Sequence, residues 1–131
     1  MNLDKDIDEC NEVIARFMGY IFKKGKFQTE MSNSSGEYYY HIVEDEIWWD
    51  QHGYPMENGL EFYSNWDRLI EVVEKIEGLD GEQYEADIFG NCCHISNVHD
   101  NSFGPDIEVV GGRKREAVYE ACYKFIVEYT K

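Results

Sequence analysis

The segment after Gly111-Gly112 carries an unbroken apolar face almost to the end of the chain. Its apolar residues alternate steps of three and one: Ala117, Val118, Ala121, Cys122, Phe125, Ile126 and Tyr129. This spacing predicts a helix of about 17 residues that spans roughly 25 Å. So long an apolar face needs an equally long apolar surface to pack on, so the rest of the chain must supply a sheet or further helices.

Two other segments have helical periodicity. Near the N terminus, apolar residues recur at three- and four-residue steps from Ile7 to Ile21, and Gly19 is a plausible stop. The other predicted helix begins at a Ser64 N-cap, with Asp67 completing a capping box, and ends at Gly78. Its predicted buried stripe is Trp66, Leu69, Ile70, Val73 and Ile76.

The segments between these helices have strand character. Residues 84–88 alternate apolar and acidic side chains, and Gly90-Asn91 predicts a two-residue hairpin turn. That turn places Ile88 opposite Cys93 and Asp87 opposite His94. Residues 107–109 predict another strand. Residues 38–43 and 46–49 are aromatic and β-branched, which predicts a second hairpin, with loops at 32–36 and 53–59.

These elements predict one α+β domain over residues 1–131, in the order α-β-β-α-β-β-β-α. We expect an antiparallel β-sheet with three helices packed mainly on one face. The sheet residues expected to meet the helices are Ala86, Ile88, Cys93, Ile95, Ile107 and Val109.

The chain is strongly acidic. Twenty-seven acidic residues against twelve Lys and Arg give a net charge of −15, and neither 27–67 nor 76–112 contains a Lys or Arg. Such a surface repels phosphates, so direct binding of DNA or RNA is disfavoured. Two interpretations stay open: the charge keeps the protein in solution, or it forms a negative surface for a basic partner.

Cysteine use and apolar run length indicate where the protein works. The four cysteines include the adjacent pair Cys92 and Cys93, which is unlike a disulfide framework and typical of reduced thiols. No apolar run approaches the 18 residues of a membrane span, and no secretory signal is visible. We therefore predict a cytoplasmic protein without a membrane role.

Three stretches of the chain resemble one protein family. Residues 64–77 read Ser-Asn-Trp-Asp-Arg-Leu-Ile-Glu-Val-Val-Glu-Lys-Ile-Glu, and 14–19 and 116–121 also look similar. The family consists of small uncharacterised proteins encoded by phages, prophages and their bacterial hosts. Many of these proteins have a second Trp where this chain has Arg68. The resemblance implies a phage or mobile-element setting and no established activity.

Adjacent tryptophans form the predicted partner-binding site. Neighbours on a strand point to opposite faces, so one ring of Trp48-Trp49 can enter the core while the other stays accessible. Trp commonly anchors interfaces because it brings a large area at low entropic cost. The alternative is that both rings are covered by the long loops. The full predicted set is Trp48, Trp49, Glu44, Asp45, Glu46 and Asp50.

The bases at the start of the last helix form a weaker candidate. Arg113, Lys114 and Arg115 oppose the helix dipole, and a bound anion would reverse that penalty. Alternatively, their positive charge simply offsets that of the surrounding acidic residues. The glycines before them are a turn and match no nucleotide-binding fingerprint.

A third candidate lies on the predicted 84–95 hairpin. Cys92, His94 and Asp87 share its outer face, which is the composition of a thiol-enzyme arrangement. Side chains two apart on a strand lie about 6–7 Å from each other, so a cross-strand ion pair beside an incidental cysteine explains the same residues. His94 and His99 are the candidate ligands if a metal binds. No cofactor is indicated.

Three functional hypotheses follow. The first is a non-enzymatic protein-interaction module or a phage-borne modulator of a host protein. The second is a mimic of nucleic-acid charge that binds a basic DNA- or RNA-binding protein. The third is a metal-binding or thiol enzyme using Cys92, His94 and Asp87. An exposed edge strand or tryptophan is also compatible with a homodimer.

Overall fold

The computed structural model describes residues 6–99 and 104–131. Its elements follow the predicted order α-β-β-α-β-β-β-α. They are α1 (Ile7–Phe17), β1 (Ile21–Ser32), β2 (Tyr38–Trp49), α2 (Trp66–Glu77), β3 (Tyr84–Phe89), β4 (Cys92–Asn97), β5 (Ile107–Val110) and α3 (Lys114–Tyr129). The predicted α+β class and antiparallel pairing are confirmed, but the strands form two sheets, β1-β2 and β3-β4-β5.

The C-terminal helix α3 lies at the centre of the fold. It contacts α1 and α2 as well as the three strands of the β3-β4-β5 sheet. The six residues of its predicted face from Ala117 to Ile126 are at most 1% exposed. Tyr119 is also fully buried, and its hydroxyl donates to Asn11 Oδ1 at 2.8 Å. The long apolar face therefore meets both helices and sheet.

The sheet β3-β4-β5 supplies the apolar surface predicted for it. The register of β3 and β4 is the predicted one, with Ile88 opposite Cys93 and Asp87 opposite His94. Cys93, Ile95 and Val109 are buried, while Ala86, Ile88 and Ile107 are partly buried against the same core. The two-residue turn at Gly90-Asn91 determines this register, because so short a loop fixes which residues of the two strands face each other.

Helix α2 begins one residue later than predicted. The N-cap is Asn65, whose Oδ1 accepts hydrogen bonds from the backbone N–H groups of Asp67 and Arg68 at 2.9 and 3.4 Å. Gly78 ends the helix as predicted. The buried face is centred on Leu69, Val72, Val73 and Ile76, which leaves Trp66 at the rim and 37% exposed.

The hairpin predicted from residues 38–43 and 46–49 is not formed. Residues 38–49 form one continuous strand, β2, and its partner is β1, which was not predicted. The acids at 44–46 lie in mid-strand because lysines of β1 face them. Glu44 lies 3.3 Å from Lys24 Nζ and 3.8 Å from Lys26 Nζ. Cross-strand pairing of opposite charges is what keeps this acidic run extended.

Candidate functional site

Strands β1 and β2 form a ribbon that stands apart from the rest of the fold. Each strand is 12 residues long, and the two form a two-stranded sheet whose described β-bridge to the rest of the chain joins Trp49 to Pro55. None of the fully buried apolar residues of the described chain lies between 21 and 49. A two-stranded sheet without a third strand or a covering helix is only marginally stable in water. The ribbon is therefore an extended arm whose surface is available to other molecules.

The register divides the ribbon into two faces. Every pair joins two residues of the same parity, so even-numbered side chains of both strands share one face and odd-numbered side chains share the other. We call these the Trp48 face and the Trp49 face. Each face has its own aromatic anchor at the base, where the ribbon meets α1 and the segment 50–63.

Trp48 attaches the ribbon to the body of the protein. Its ring is partly buried against the core and lies 5.5 Å from the ring of Phe22. The guanidinium of Arg16 sits over the ring at 5.7 Å from its centroid. The backbone carbonyl of Trp48 accepts a hydrogen bond from the N–H of Met56 at 2.9 Å. The Trp48 ring therefore lies against the core, as predicted for one ring of the pair.

Trp49 lies on the opposite face, flat across the partner strand. Its indole N–H donates to the carbonyl of Lys23 at 3.0 Å, and its ring is 6.1 Å from that of Phe27. A Cβ placed on Gly25 would come within 2.3 Å of the indole, so only glycine leaves room for the ring there. Like Trp48, Trp49 is half-buried, so each tryptophan has a structural role within the ribbon.

The predicted acidic rim lies along β2 and in the turn after it. Glu44 and Glu46 belong to the Trp48 face, and Asp45 to the Trp49 face. Asp45 Oδ1 accepts from the N–H of Glu46 at 2.8 Å. Asp50 is 8% exposed, and its Oδ1 accepts from the N–H groups of His52 and Tyr54, so it organises the turn. The partner-binding role of these residues stays a prediction.

The most exposed part of the ribbon is its tip, which sequence reasoning did not single out. Tyr38, Tyr40 and Ile42 lie side by side on the Trp48 face of β2 and are 76%, 70% and 61% exposed. Seven of the twelve large exposed apolar residues in the described chain lie on the ribbon. The feature that could have predicted this tip is the turn 33–36, which lies between two extended segments of equal length.

The predicted Cys92–His94–Asp87 cluster is only partly assembled. His94 forms a contact of 2.6 Å from Nε2 to Oδ1 of Asp106, a residue that precedes β5, rather than a contact with Asp87. Cys92 is 6% exposed. Its neighbour Cys93 is fully buried, and burial first, then the Cys92 thiol and the Asp87 carboxylate, raise the pKa of Cys93 to about 12. Such a thiol remains protonated at neutral pH.

Within residues 6–99 and 104–131, no three His, Cys, Asp or Glu side chains are arranged to hold a metal ion. The alternative interpretation of this face, a cross-strand ion pair of His94 with Asp87, is not formed either, because the carboxylate that His94 contacts is that of Asp106.

Of the bases at the start of α3, Arg113 and Lys114 are exposed and Arg115 is half-buried. Arg113 is the N-cap residue and makes no side-chain capping bond. Arg115 turns its guanidinium over the ring of Tyr63, at 5.7 Å from the centroid. Its Nε is buried without a hydrogen-bond partner in the described structure. The anion-binding role of these three residues stays a prediction.

The acidic residues gather on two other surfaces. Glu74, Glu77, Glu82 and Glu85 line a groove of about 380 Å³ between the end of α2 and β3. The outer face of the small sheet places Asp87 and Glu108 on either side of His94. These two surfaces display six of the twenty-seven acidic residues.

Comparison with known proteins returned no match: no family model fits the chain, and no curated protein or solved structure is significantly similar to it. In the part of the chain that the structure describes, no helix is long and apolar enough to cross a bilayer.

Proposed function

We propose that this chain is a non-enzymatic protein-interaction module whose ribbon contacts a protein partner through its tip. The observation that carries the proposal is the exposure of Tyr38, Tyr40 and Ile42 side by side on one face of an arm with no covering element. Contiguous exposed apolar side chains are uncommon on isolated proteins and usually mark contact surfaces. Tyrosine is especially common there because its ring buries a large area with few rotatable bonds.

The surroundings of the tip indicate the charge of the partner. Glu30 faces Tyr40 across the ribbon, and Glu37 precedes the strand at the turn. Farther down β2, Glu46 has no described lysine or arginine within ion-pair distance. With a net charge of −15, the molecule as a whole attracts basic proteins at long range. The partner we propose is therefore a basic protein with an apolar pocket or groove.

The setting we propose is infection of, or residence in, a bacterial cell. Its support is the resemblance of residues 64–77 to proteins encoded by phages and prophages. In that setting, a basic host protein is the natural partner for an acidic phage-encoded module. We propose a cytoplasmic location on the same ground.

Mimicry of nucleic-acid charge is the second candidate function. It is favoured by the outer face of the small sheet, where Glu85, Asp87, Asp106 and Glu108 surround the single imidazole of His94. In this version the partner is a DNA- or RNA-binding protein, and the acidic sheet face occupies its nucleic-acid site. Such a contact depends on released counterions and weakens steeply with salt.

One experiment separates the two functions. A tagged full-length chain is used to capture host proteins, and the affinity of each purified partner is then measured at several salt concentrations. Replacing the tip in the triple variant Tyr38→Ser, Tyr40→Ser, Ile42→Thr is expected to weaken the binding of a tip partner by roughly a hundredfold, the scale of interface hot spots. The matched control is Tyr54→Ser, Phe89→Ser, Val110→Thr, which removes equally exposed apolar groups elsewhere.

The control variant should retain full affinity. Binding that survives the tip variant, falls steeply with salt and is displaced by duplex DNA would assign the function to the acidic sheet face. Equal losses in the tip and control variants would contradict a specific role for the ribbon.

A further inference from the structure

One edge of the ribbon is open over almost its whole length. The N–H of Asn33 donates to the carbonyl of Glu37 at 3.0 Å, which makes this the hydrogen-bonded pair that closes the hairpin. Hydrogen-bonded and non-hydrogen-bonded pairs alternate along antiparallel strands. Backbone groups of the odd residues therefore point inward to the partner strand, and those of even residues point outward. The bond from Met56 N–H to the carbonyl of Trp48 confirms this parity for β2.

Outward backbone groups have described partners only near the base of β2, and those of its even residues from Tyr38 to Glu44 have none. On β2, Asp45 takes the N–H of Glu46, and the segment that contains Met56 takes the carbonyl of Trp48. On β1, no described residue bonds to the outward N–H and C=O groups of the even residues between Phe22 and Ser32. An open edge of this length is a template for another strand. Since every copy of the protein carries this edge, a second copy can supply the strand that pairs with it.

The charges of β1 are compatible with its own copy. Among the described helices and strands, β1 is the one with a net positive charge: Lys23, Lys24 and Lys26 against Glu30. The repulsion between two molecules of charge −15 is therefore smallest where their β1 strands meet. In that arrangement, both basic strands are central and both acidic β2 strands are flanking.

We propose that two copies of this chain pair through β1 in antiparallel orientation, forming a four-stranded sheet in the order β2-β1-β1-β2. A two-fold axis normal to the sheet requires residues of equal parity to face each other. One register pairs Phe27 with Phe27 of the other copy, Lys24 with Glu30, and Gly25 with Thr29. It uses all the outward groups from Phe22 to Ser32 and places no like charges opposite each other.

Sliding one β1 strand along the other gives less favourable registers. A shift by two residues in one direction sets Lys26 opposite Lys26, which is unfavourable. A shift in the other direction shortens the pairing by two residues at each copy. The proposed register also brings the Trp49 faces together, so that Phe27 and Trp49 of both copies form one apolar band. The pairing edge is β1, whereas Tyr38, Tyr40 and Ile42 lie on β2, so the dimer does not rest on the proposed partner-binding function.

The first test is the mass of the full chain in solution, measured by sedimentation over a range of concentrations. The wild type is expected to be a dimer. Lys24→Glu and Glu30→Lys should each weaken the dimer by roughly tenfold or more, because each sets like charges opposite each other twice. The double exchange Lys24→Glu, Glu30→Lys should restore it. Lys26→Glu is the matched control, because it changes the net charge equally but faces Gln28.

The second test fixes the register by oxidation. Phe27→Cys places two thiols opposite each other at the dyad, where Cβ atoms of facing residues lie about 5 Å apart, and a covalent dimer is expected. Thr29→Cys is the matched control, because its two copies would lie roughly 13 Å apart and cannot bond. The native cysteines are buried and do not compete.

Circular dichroism establishes that each variant is folded before its mass is interpreted. A wild type that remains monomeric at all concentrations overturns the proposal. A dimer that responds equally to Lys24→Glu and Lys26→Glu, or one that crosslinks through Thr29→Cys, overturns the pairing of β1 with itself in this register.

Discussion

At the scale of single residues, two residues explain how the rings of Trp48 and Trp49 are held in place. Gly25 leaves space for the Trp49 indole. On the opposite face of the ribbon, the guanidinium of Arg16 covers the Trp48 ring. A sequence motif of adjacent aromatics indicates a strand with two apolar faces, but not how much of each ring is left uncovered. That depends on which residues the partner strand places beneath them.

The buried thiol of Cys93 makes the protein sensitive to alkaline pH. Burial is the largest cause that raises its pKa from 9.0 to about 12, and burial also raises the pKa of Cys122. Between those values the folded protein holds a proton that the unfolded chain has lost. The stability is therefore complete below pH 9 and declines as pH rises toward 12, by up to about 1.4 kcal/mol per pH unit for each such thiol.

Urea unfolding at pH 8 to 11 in the presence of a reductant measures this loss. Cys93→Ala is expected to be less stable at pH 8 by about 1–2 kcal/mol, since it leaves a small cavity, but to lose stability more slowly above pH 9. Tyrosines contribute equally to both proteins, so the difference in slope isolates this thiol. Identical slopes would contradict the assignment.

At the scale of elements, α3 combines a strong centre with a weak start. Its middle is buried on several sides, yet its N-cap Arg113 makes no side-chain bond to the first turn. Arg113 also places positive charge at the positive end of the helix dipole. The tertiary contacts of α3, not its local sequence, therefore keep the helix in place.

Replacing Arg113 with a capping residue should stabilise the protein. Arg113 already has the extended backbone of an N-cap, with φ −91° and ψ 159°. Arg113→Ser is expected to raise the free energy of unfolding by about 1 kcal/mol, because the hydroxyl accepts from a free N–H of the first turn. Arg113→Ala, measured by the same urea titration, is the control for loss of the charge alone. Equal effects of the two variants would exclude capping as the cause.

At the scale of the whole molecule, the protein consists of a packed body and a ribbon attached at one end. Of the residues that the structure describes, the body holds all the fully buried apolar ones, and the ribbon holds most of the large exposed apolar ones. This division suits a binding module, because the body can fold without the surface that meets a partner. The attachment is made by Trp48 with Phe22 and by the bond from Met56.

Shortening the ribbon tests this division. Lys23 and Ile47 are partners in the register, so residues 24–46 can be replaced by Asn-Gly to close a two-residue hairpin. We expect a cooperative thermal transition close to that of the full chain, because no buried core residue is removed. The matched variant replaces residues 28–42 between Phe27 and Val43 and keeps the Trp49 packing. Loss of cooperative melting in both variants would show that the ribbon supports the body.

The sequence alone determined the features that depend on neighbours in the chain. The three helices follow from apolar periodicity, and the β3-β4 register follows from the Gly90-Asn91 turn. Each involves residues within one element or across one tight turn, where spacing and turn chemistry leave one arrangement. The strand β1 was also within reach, since a turn between two extended segments of equal length is a local pattern.

The tertiary structure alone decided the features that depend on distant contacts. The pairing of His94 with Asp106 rather than Asp87, the separation of the ribbon from the small sheet and the exposure of Tyr38 and Tyr40 are of this kind. The alternation of a strand shows which residues share a face. Whether another element covers that face depends on how the helices fill the space around the sheet, and residue spacing does not contain that information.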